Sequence, residues 1–206
     1  KLRVMRSFML AGGALALFVS GQTFAAEKLD MARAEEIVSG RCFICHGLAG
    51  ESASPVYPRL AGQHSEYIAK QLAEFKSGKR KSDTMKPQAE ELTPAEMKAL
   101  GAFFESKKGV ARPVKDAELT AVGKYVFNRG NQYTGVPACA SCHGPRGLGT
   151  PHLPRLAGQH PRYTDDQLKQ FNSRERNNDN AVMHTVASKL SELERNAVSE
   201  YIATLD

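Results

Sequence analysis

Two five-residue segments hold residues whose types and spacing could do chemistry. Cys42–His46 has the sequence Cys-Phe-Ile-Cys-His, and Cys139–His143 has the sequence Cys-Ala-Ser-Cys-His. Two thiols at this spacing can reach the two vinyl groups at one edge of a porphyrin, and the pattern is typical of c-type haem attachment. The adjacent histidine can then bind the iron. The segments therefore predict two covalent haem c groups, held by Cys42, Cys45, Cys139 and Cys142, with His46 and His143 as iron ligands.

Other uses of the cysteines are less favoured. A thioredoxin-like redox pair does not require the following histidine. The two pairs of a four-cysteine zinc site usually lie about 15–20 residues apart, whereas a whole domain's length of chain separates Cys45 from Cys139. Two disulfides would close small, awkward loops. Haem attachment accounts for every cysteine, because the complete pattern occurs twice and uses all four.

The charge of the chain gives no reason to expect nucleic acid as a partner. The formal net charge is +6 over 206 residues, and Lys1, Arg3 and Arg6 supply three of those positive charges. The rest of the chain is too mildly basic for a nucleic-acid-binding surface, and it carries no base-reading motif. The composition is that of an ordinary soluble protein.

The first 26 residues resemble a secretory signal. The basic residues come first, the uncharged apolar run Phe8–Val19 follows, and Thr23–Ala25 offers small residues for cleavage. The whole uncharged stretch is also close to the length of about 20 residues that spans a bilayer. Residues 1–26 are therefore interpreted as a signal peptide or an uncleaved membrane anchor, which places the remainder in the periplasm, soluble or tethered to the inner membrane.

An internal repeat divides the rest of the chain. Pro58–His64 recurs letter for letter as Pro154–His160, and looser matches on both sides keep an offset of 96–98 residues. An offset this constant indicates two tandem domains, predicted at residues 27–108 and 109–206. Lys107–Lys115, which contains glycine and proline, is the predicted linker.

Both units are predicted to be helical. Leu29–Val38 and Ala117–Phe127 have apolar residues at helical spacing before the haem motifs. Thr93 and Ser191 each begin a capping box, which predicts a closing helix in each unit. No segment shows sustained strand alternation. The predicted fold is therefore all-α: two tandem cytochrome c-like domains, each enclosing one covalent haem, after an N-terminal signal or anchor helix.

The repeat also selects a candidate for the sixth iron ligand. Met85 and Met183 lie 98 residues apart, the same offset as the closing helices, and each precedes its helix in a polar segment. A methionine ligand would close the iron site and raise its reduction potential, which suits electron transfer. Met97 has no methionine partner in the repeat and is interpreted as helix packing. The rival ligands that stay open are His64, His160 and His184.

Residues of the repeated heptapeptide are candidates to support the haem. A ligating histidine usually donates its second ring N–H to a carbonyl or carboxylate group, and the carbonyls of Pro58 and Pro154 could accept it. Arg59 and Arg155 could pair with haem propionates, since guanidinium groups suit carboxylates. Solvated surface arginines are an equally good interpretation at this point.

The two haem motifs, the Pro-x-Leu-x-Gly-Gln segments and the later methionines resemble the di-haem cytochrome c4 family over residues 28–206. The resemblance implies two helical domains packed pseudo-symmetrically with their haem edges facing each other. It implies His46 with Met85, and His143 with Met183, as axial ligands. It also implies that the haem histidines donate to Pro58 and Pro154. The chain departs from the resemblance in the insertion-like segment Gly130–Pro137, which could make the two haem surroundings differ.

The expected function is electron transfer without catalysis. The resemblance implies a carrier that takes electrons from a cytochrome bc1 complex or another donor and delivers them to a cbb3-type terminal oxidase. A cytochrome subunit of a flavoprotein dehydrogenase is the alternative. A di-haem peroxidase is less favoured, because a peroxidase needs an exchangeable position on one iron.

Overall fold

The computed structural model describes residues 29–206, which form helices joined by loops. Within that range there is no β-strand, and an isolated antiparallel bridge pairs Asn131 with Val136. The all-α prediction is therefore confirmed for the described part of the chain. The predicted signal or anchor segment, residues 1–26, lies outside it.

The first helical unit leads straight into its haem motif. Asp30 caps the first helix by accepting a hydrogen bond from the backbone N–H of Arg33, so the helix begins at Met31 rather than at the predicted Leu29. The π-helical turn and the short haem-motif helix continue from it without a break. The elements of this unit are α1 (Met31–Ile37), the π-helical turn (Val38–Cys42), α2 (Phe43–His46), α3 (Ser65–Ser77), α4 (Met85–Glu90) and α5 (Pro94–Glu105).

The second helical unit repeats this order with one interruption. Its first helix ends before Gly130, and a loop closed by the Asn131–Val136 bridge separates it from the haem motif. The predicted insertion is therefore a bridged loop. The elements of this unit are α6 (Ala117–Arg129), α7 (Ala140–His143), α8 (Pro161–Ser173), α9 (Val182–Ala187) and α10 (Glu192–Ala203).

The capping boxes that begin the two closing helices are confirmed. The side chain of Thr93 accepts from the backbone N–H of Glu96, and the Glu96 carboxylate accepts from the N–H of Thr93. Ser191 and Glu194 make the same reciprocal pair at the start of α10. These caps satisfy backbone donors that a helix N-terminus otherwise leaves unpaired.

Each unit has its own hydrophobic core. Helix α5 packs against α1 and α3, and helix α10 packs against α6 and α8. Met97 is buried in the first core, in agreement with its interpretation as helix packing. Buried apolar side chains include Ile68, Met97, Leu100, Phe103 and Phe104 in the first core and Val126, Phe127, Leu168, Phe171, Val198 and Ile202 in the second.

Residues 107–115 connect the units without forming a helix. The backbone N–H of Arg112 donates to the carbonyl of Ala203 (2.7 Å), which ties the connection to the end of α10. The carbonyl of Val110 accepts from the Arg59 side chain (2.7 Å), which ties it to the first unit. The exact division at residue 108 stays a prediction.

Candidate functional site

The two haem motifs occupy equivalent places in their units. Cys42 ends the π-helical turn, Cys139 directly precedes α7, and both are half-buried. The second cysteines differ, because Cys45 is half-buried and Cys142 is exposed. All four thiols are free.

The competing interpretations of the cysteines gain no support from the structure. Burial raises the pKa of Cys42, and burial raises the pKa of Cys139 to about 11, whereas a reactive thioredoxin-type cysteine has a lowered pKa. The free thiols form no disulfide. Within residues 29–206, no three or more His, Cys, Asp or Glu side chains cluster in a way that could hold a metal ion.

The two haem-motif histidines are alike in burial and in their backbone hydrogen bonds. His46 and His143 are 6% and 7% exposed, and each is followed by a glycine with positive φ that ends the helix. Nδ1 of His46 lies 2.9 Å from the carbonyl oxygen of Pro58, and Nδ1 of His143 lies 3.1 Å from that of Pro154. Because a carbonyl oxygen only accepts, Nδ1 carries the proton and the lone pair of the neutral ring is on Nε2.

Burial also favours the neutral form of these two rings. Desolvation lowers the pKa of both His46 and His143, and the hydrogen bonds to the proline carbonyls only partly oppose it. A neutral imidazole that donates through Nδ1 is the form in which histidine binds haem iron through Nε2. The residues therefore fit a haem iron ligand in both units.

A pair of backbone hydrogen bonds to one carbonyl, called the clasp below, holds the segment that follows each proline in place. In the first unit, the N–H groups of Leu60 and Ala61 both donate to the carbonyl of Gly50, and the second unit repeats this with Gly147 as the acceptor. The loop between motif and clasp is also held, since the N–H of Ser52 donates to the carbonyl of His46 (2.8 Å). The histidine and its proline are therefore positioned by the chain that follows the haem motif.

The candidate methionines lie at the start of short helices. Met85 is the first residue of α4 and Met183 the second residue of α9, and both are half-buried. The sequence predicts a polar segment here, and the structure has a six-residue helix in each unit. Pro87 is tolerated in α4 because its first turn needs no intrahelical N–H.

The rival histidine ligands make other contacts. Nε2 of His64 donates to the carbonyl of Leu148 in the second unit, and Nε2 of His160 donates to the carbonyl of Ser52 in the first unit, both at 2.8 Å. Nδ1 of His64 also lies 3.4 Å from the carboxylate of Glu105. Nδ1 of His184 donates to the carbonyl of Phe171 (3.0 Å). The first two rings therefore join the units.

Arg59 and Arg155 lie between the units and are not freely solvated. Nη1 of Arg59 donates to the carbonyls of Val110 (2.7 Å) and Gly158 (2.9 Å). The Nε atoms of both arginines are buried and have no hydrogen-bond partner among the described residues. Both side chains line an interdomain cavity of about 60 Å³. These unpaired cationic donors fit carboxylate acceptors, which the propionates of a bound haem would supply.

Two glutamines join the units in a way that the sequence analysis missed. The carboxamide of Gln159 accepts from the N–H of Arg59 (2.9 Å) and donates to the carbonyl of the same residue (3.0 Å). Gln63 makes the symmetry-equivalent pair with Arg155. Its carboxamide accepts from the N–H of Arg155 and donates to the carbonyl of Arg155, both at 2.9 Å. The available signal was the identity of these polar residues in both copies of the heptapeptide.

A second polar cluster joins α3 to α8. The guanidinium of Arg80 donates to the hydroxyl of Tyr163 (3.0 Å), and that of Arg176 donates to the hydroxyl of Tyr67 (2.8 Å). Both arginines also bind the side chains of Gln71 and Gln167. The tyrosines, glutamines and arginines each lie 96 residues from their counterparts, so the interface has approximate twofold symmetry. Tyr67 and Tyr163 are therefore interface residues.

The fold agrees with that of known proteins. The cytochrome c family profile matches residues 31–128 and again residues 121–206. This chain belongs to the cytochrome c family. It binds two covalent haem c groups and acts in electron transfer rather than in catalysis.

Named relatives cover nearly the whole of this cytochrome. Cytochrome c4 from Thiocapsa roseopersicina is 40% identical over 89% of this chain and 97% of its own. A "Thiosulfate dehydrogenase electron acceptor" from Thiomonas intermedia (strain K12) is 34% identical over 97% of this chain and 94% of its own. The solved structure of reduced recombinant cytochrome c4 from Pseudomonas stutzeri matches with a TM-score of 0.81 and 35% identity, over 86% of this chain and 99% of that one. The tandem di-haem organisation is therefore that of cytochrome c4.

The described helices give no evidence of a membrane span. Between residues 29 and 206, none combines the length and the apolar character needed to cross a bilayer. The candidate anchor lies outside this range.

Proposed function

We propose that this cytochrome is a periplasmic di-haem carrier that takes electrons from a bc1 complex or a similar donor and delivers them to a cbb3-type terminal oxidase. The observation that supports it best is the pair of equivalent histidine–proline hydrogen bonds, at 2.9 and 3.1 Å. Two haem sites of the same construction on either side of one interface suit sequential one-electron transfer. The export-type sequence at residues 1–26 supports the periplasmic location.

The proposed ligand set follows from the same sites. The four motif cysteines form the thioether bonds, and His46 and His143 bind the irons through Nε2. Met85 and Met183 supply the sixth ligands, because both units have a methionine at this place, whereas Lys86 stands where His184 would need a counterpart. His64 and His160 already use Nε2 in interdomain hydrogen bonds. Pro58 and Pro154 accept from the ligating histidines. Arg59 and Arg155 bind haem propionates through their unpaired Nε atoms. Bound haem supplies the reversible one-electron chemistry, and these residues hold it and exclude exchangeable ligands.

The carrier function is tested by electron exchange with isolated partners. The reduced protein should be reoxidised rapidly by membranes that contain a cbb3-type oxidase, and the rate should fall when that oxidase is absent or inhibited. Reduction by a bc1 complex should be equally direct. Rapid turnover with hydrogen peroxide by the intact protein would contradict the proposal and favour a peroxidase, because closed iron sites leave peroxide no place to bind.

A second candidate function is that of electron acceptor for a dehydrogenase. The Thiomonas relative, named as an acceptor for thiosulfate dehydrogenase, favours it, and a flavoprotein dehydrogenase would be served by the same haem sites. Mixing the oxidised protein with each dehydrogenase and its substrate separates the candidates. If a dehydrogenase reduces the protein faster than a bc1 complex does, the dehydrogenase would be assigned as its electron donor in place of the bc1 complex.

A further inference from the structure

The peptide group between Pro58 and Arg59 is hydrogen-bonded at both ends, to different units. Its carbonyl oxygen accepts from Nδ1 of His46 (2.9 Å), and its N–H donates to Oε1 of Gln159 (2.9 Å). This gives an unbroken chain from the imidazole of one unit, through a single peptide group, to a side chain of the other unit.

The second unit contains the same chain in the opposite direction. The peptide group between Pro154 and Arg155 accepts from Nδ1 of His143 (3.1 Å) and donates to Oε1 of Gln63 (2.9 Å). The two chains therefore cross the interface, each running from one unit's histidine to the other unit's glutamine.

The glutamine side chains are held in one orientation. Oε1 of Gln159 accepts from two backbone N–H groups, those of Arg59 (2.9 Å) and His160 (3.0 Å), while Nε2 donates to the carbonyl of Arg59. Exchanging the oxygen and nitrogen positions would place donors against donors. Gln63 has the same arrangement, and the two side chains are only 7% and 9% exposed. Water therefore competes little for these bonds.

Hydrogen bonds in such a chain strengthen one another. An acceptor at the N–H of a peptide polarises the group and makes its carbonyl oxygen a better acceptor, by about 10–30% per bond in condensed phases. A better acceptor at Nδ1 draws that proton away from the ring and makes Nε2 more basic toward a bound metal. A more basic ligand stabilises the ferric state more than the ferrous state and lowers the reduction potential.

We propose that Gln159 lowers the reduction potential of the haem in the first unit and that Gln63 lowers that of the haem in the second, each as a positioning residue acting through the proline–arginine peptide of the opposite unit. The inference rests on the proposed function in one respect, namely that His46 and His143 ligate the irons. It assigns to the interface a role in setting the two potentials as well as in holding the units together.

The crossed chains also couple oxidation state to the interface. A ferric iron makes the imidazole Nδ1–H a stronger donor, which strengthens the bond from the peptide N–H to the glutamine of the other unit. Because coupling free energies are reciprocal, a change that loosens the glutamine contact must disfavour the ferric state of that haem by the same amount. A partner that alters the interface on binding would therefore shift both potentials.

The test uses the holo-protein and two variants with equivalent substitutions in the two units. Gln159→Met removes the acceptor and the donor at similar side-chain length, and it should raise the potential of the first haem more than that of the second. Gln63→Met should do the reverse. Each potential is assigned to its haem by the NMR signals of the bound axial ligands during a redox titration. Equal shifts of both haems in both variants, or no shift, would overturn the proposal.

Control variants separate tuning from loosening of the interface. Tyr67→Phe and Tyr163→Phe, made singly, each remove one interdomain hydrogen bond that lies outside the two chains, so each should leave both potentials unchanged. If these single variants shift one haem each as the glutamine variants do, the glutamines act only as structural contacts and the proposal fails.

A conservative variant tests the direction of the shift in the reduction potential of the first haem. Gln159→Glu keeps an acceptor oxygen for the N–H of Arg59, so the potential of the first haem should fall or hold rather than rise. A rise equal to that of Gln159→Met would contradict the chain. If instead the wild-type protein shows no histidine-ligated haem, the proposed function itself fails, and this result is distinguishable from unshifted potentials in a correctly ligated protein.

Discussion

In the first unit, α1 continues through the π-helical turn directly into the haem motif, whereas in the second unit α6 stops before Gly130 and a bridged loop intervenes. Despite this difference, the haem histidines are held alike. The backbone bonds that follow the motifs, Ser52 N–H to His46 carbonyl and Gly149 N–H to His143 carbonyl, measure 2.8 and 2.9 Å. The comparison shows that the chain after the motif positions the histidine, while the approach to the motif can vary.

The surfaces around the motifs differ as well. The two residues between the cysteines are Phe43 and Ile44 in the first unit, with Ile44 73% exposed. The matching residues in the second unit are Ala140 and Ser141. The first unit therefore presents an apolar surface beside its haem motif and the second a smaller and more polar one. The two haem motifs therefore present different surfaces to solvent.

The largest expected effect comes from removing the proposed sixth ligand of one haem while leaving that of the other in place. Met85→Ala and Met183→Ala should each convert one haem to a high-spin or exchangeable state. Each should remove about half of the near-infrared sulfur-to-iron charge-transfer band of the oxidised protein, because the proposed ligand set gives each haem one methionine–iron bond. Near-infrared absorption measures this directly.

Met97 provides the matched control for these substitutions. It is a buried methionine of the first core, so Met97→Ala should lower stability by about 2–5 kcal/mol while leaving the charge-transfer band intact. A full band in either ligand variant would show that the two units do not share this ligand.

A smaller effect is expected from the closest helix contacts, which fall at different places in the two units. A methyl group at Gly101 of α5 would overlap the backbone carbonyl of Ser65, and one at Gly123 of α6 would overlap that of Ala197. Gly101→Ala should therefore destabilise the first unit and Gly123→Ala the second, each by about 1–3 kcal/mol, the usual cost of overpacking.

Hydrogen exchange resolved by residue measures these effects separately. The amides of α5 should lose protection in the first variant and those of α10 in the second. If either substitution reduced amide protection equally in α5 and α10, the two units would unfold as one cooperative body. The difference between the units would then be limited to their local contacts.

The smallest effect concerns the capping glutamates, whose additional partners differ. Glu96 binds the guanidinium of Arg33 (2.9 Å), whereas Glu194 binds the amide of Asn131 (2.7 Å). Hydrogen bonds from the Thr93 backbone and from Arg33 and Thr93 side chains lower the pKa of Glu96 from 4.5 to about 2. A depressed folded-state pKa means that its stabilisation is complete above about pH 4.5 and is lost as the pH falls toward about 2.

Denaturant unfolding of wild type and two variants tests this difference. Glu96→Gln should reduce the acid sensitivity of stability between pH 4.5 and pH 2, and its destabilisation at neutral pH should shrink at high salt because an exposed ion pair is screened. Glu194→Gln should show a weaker salt dependence, since its extra partner is neutral. The same salt response in both variants would contradict the assigned roles of Arg33 and Asn131.

The sequence by itself determined the local chemistry of this protein. Cysteine and histidine spacing within five residues predicts haem attachment, and Thr93 and Ser191 predict their helix starts, because these features depend on atoms a few bonds apart along the chain. The internal repeat determined the number of units and singled out Met85 and Met183, since equivalent residues keep a constant offset.

Only the tertiary structure decided what the repeated polar residues contact. Gln63 and Gln159 reach backbone groups about a hundred residues away, and Arg59 lies between the units rather than in open solvent. Which polar groups meet depends on how two units, each with its own core, are oriented, and neither helical periodicity nor cap chemistry carries that information. The pairing arises because buried backbone donors and acceptors at an interface must find partners there, and the partner available to each unit is the copy of the same heptapeptide on the other.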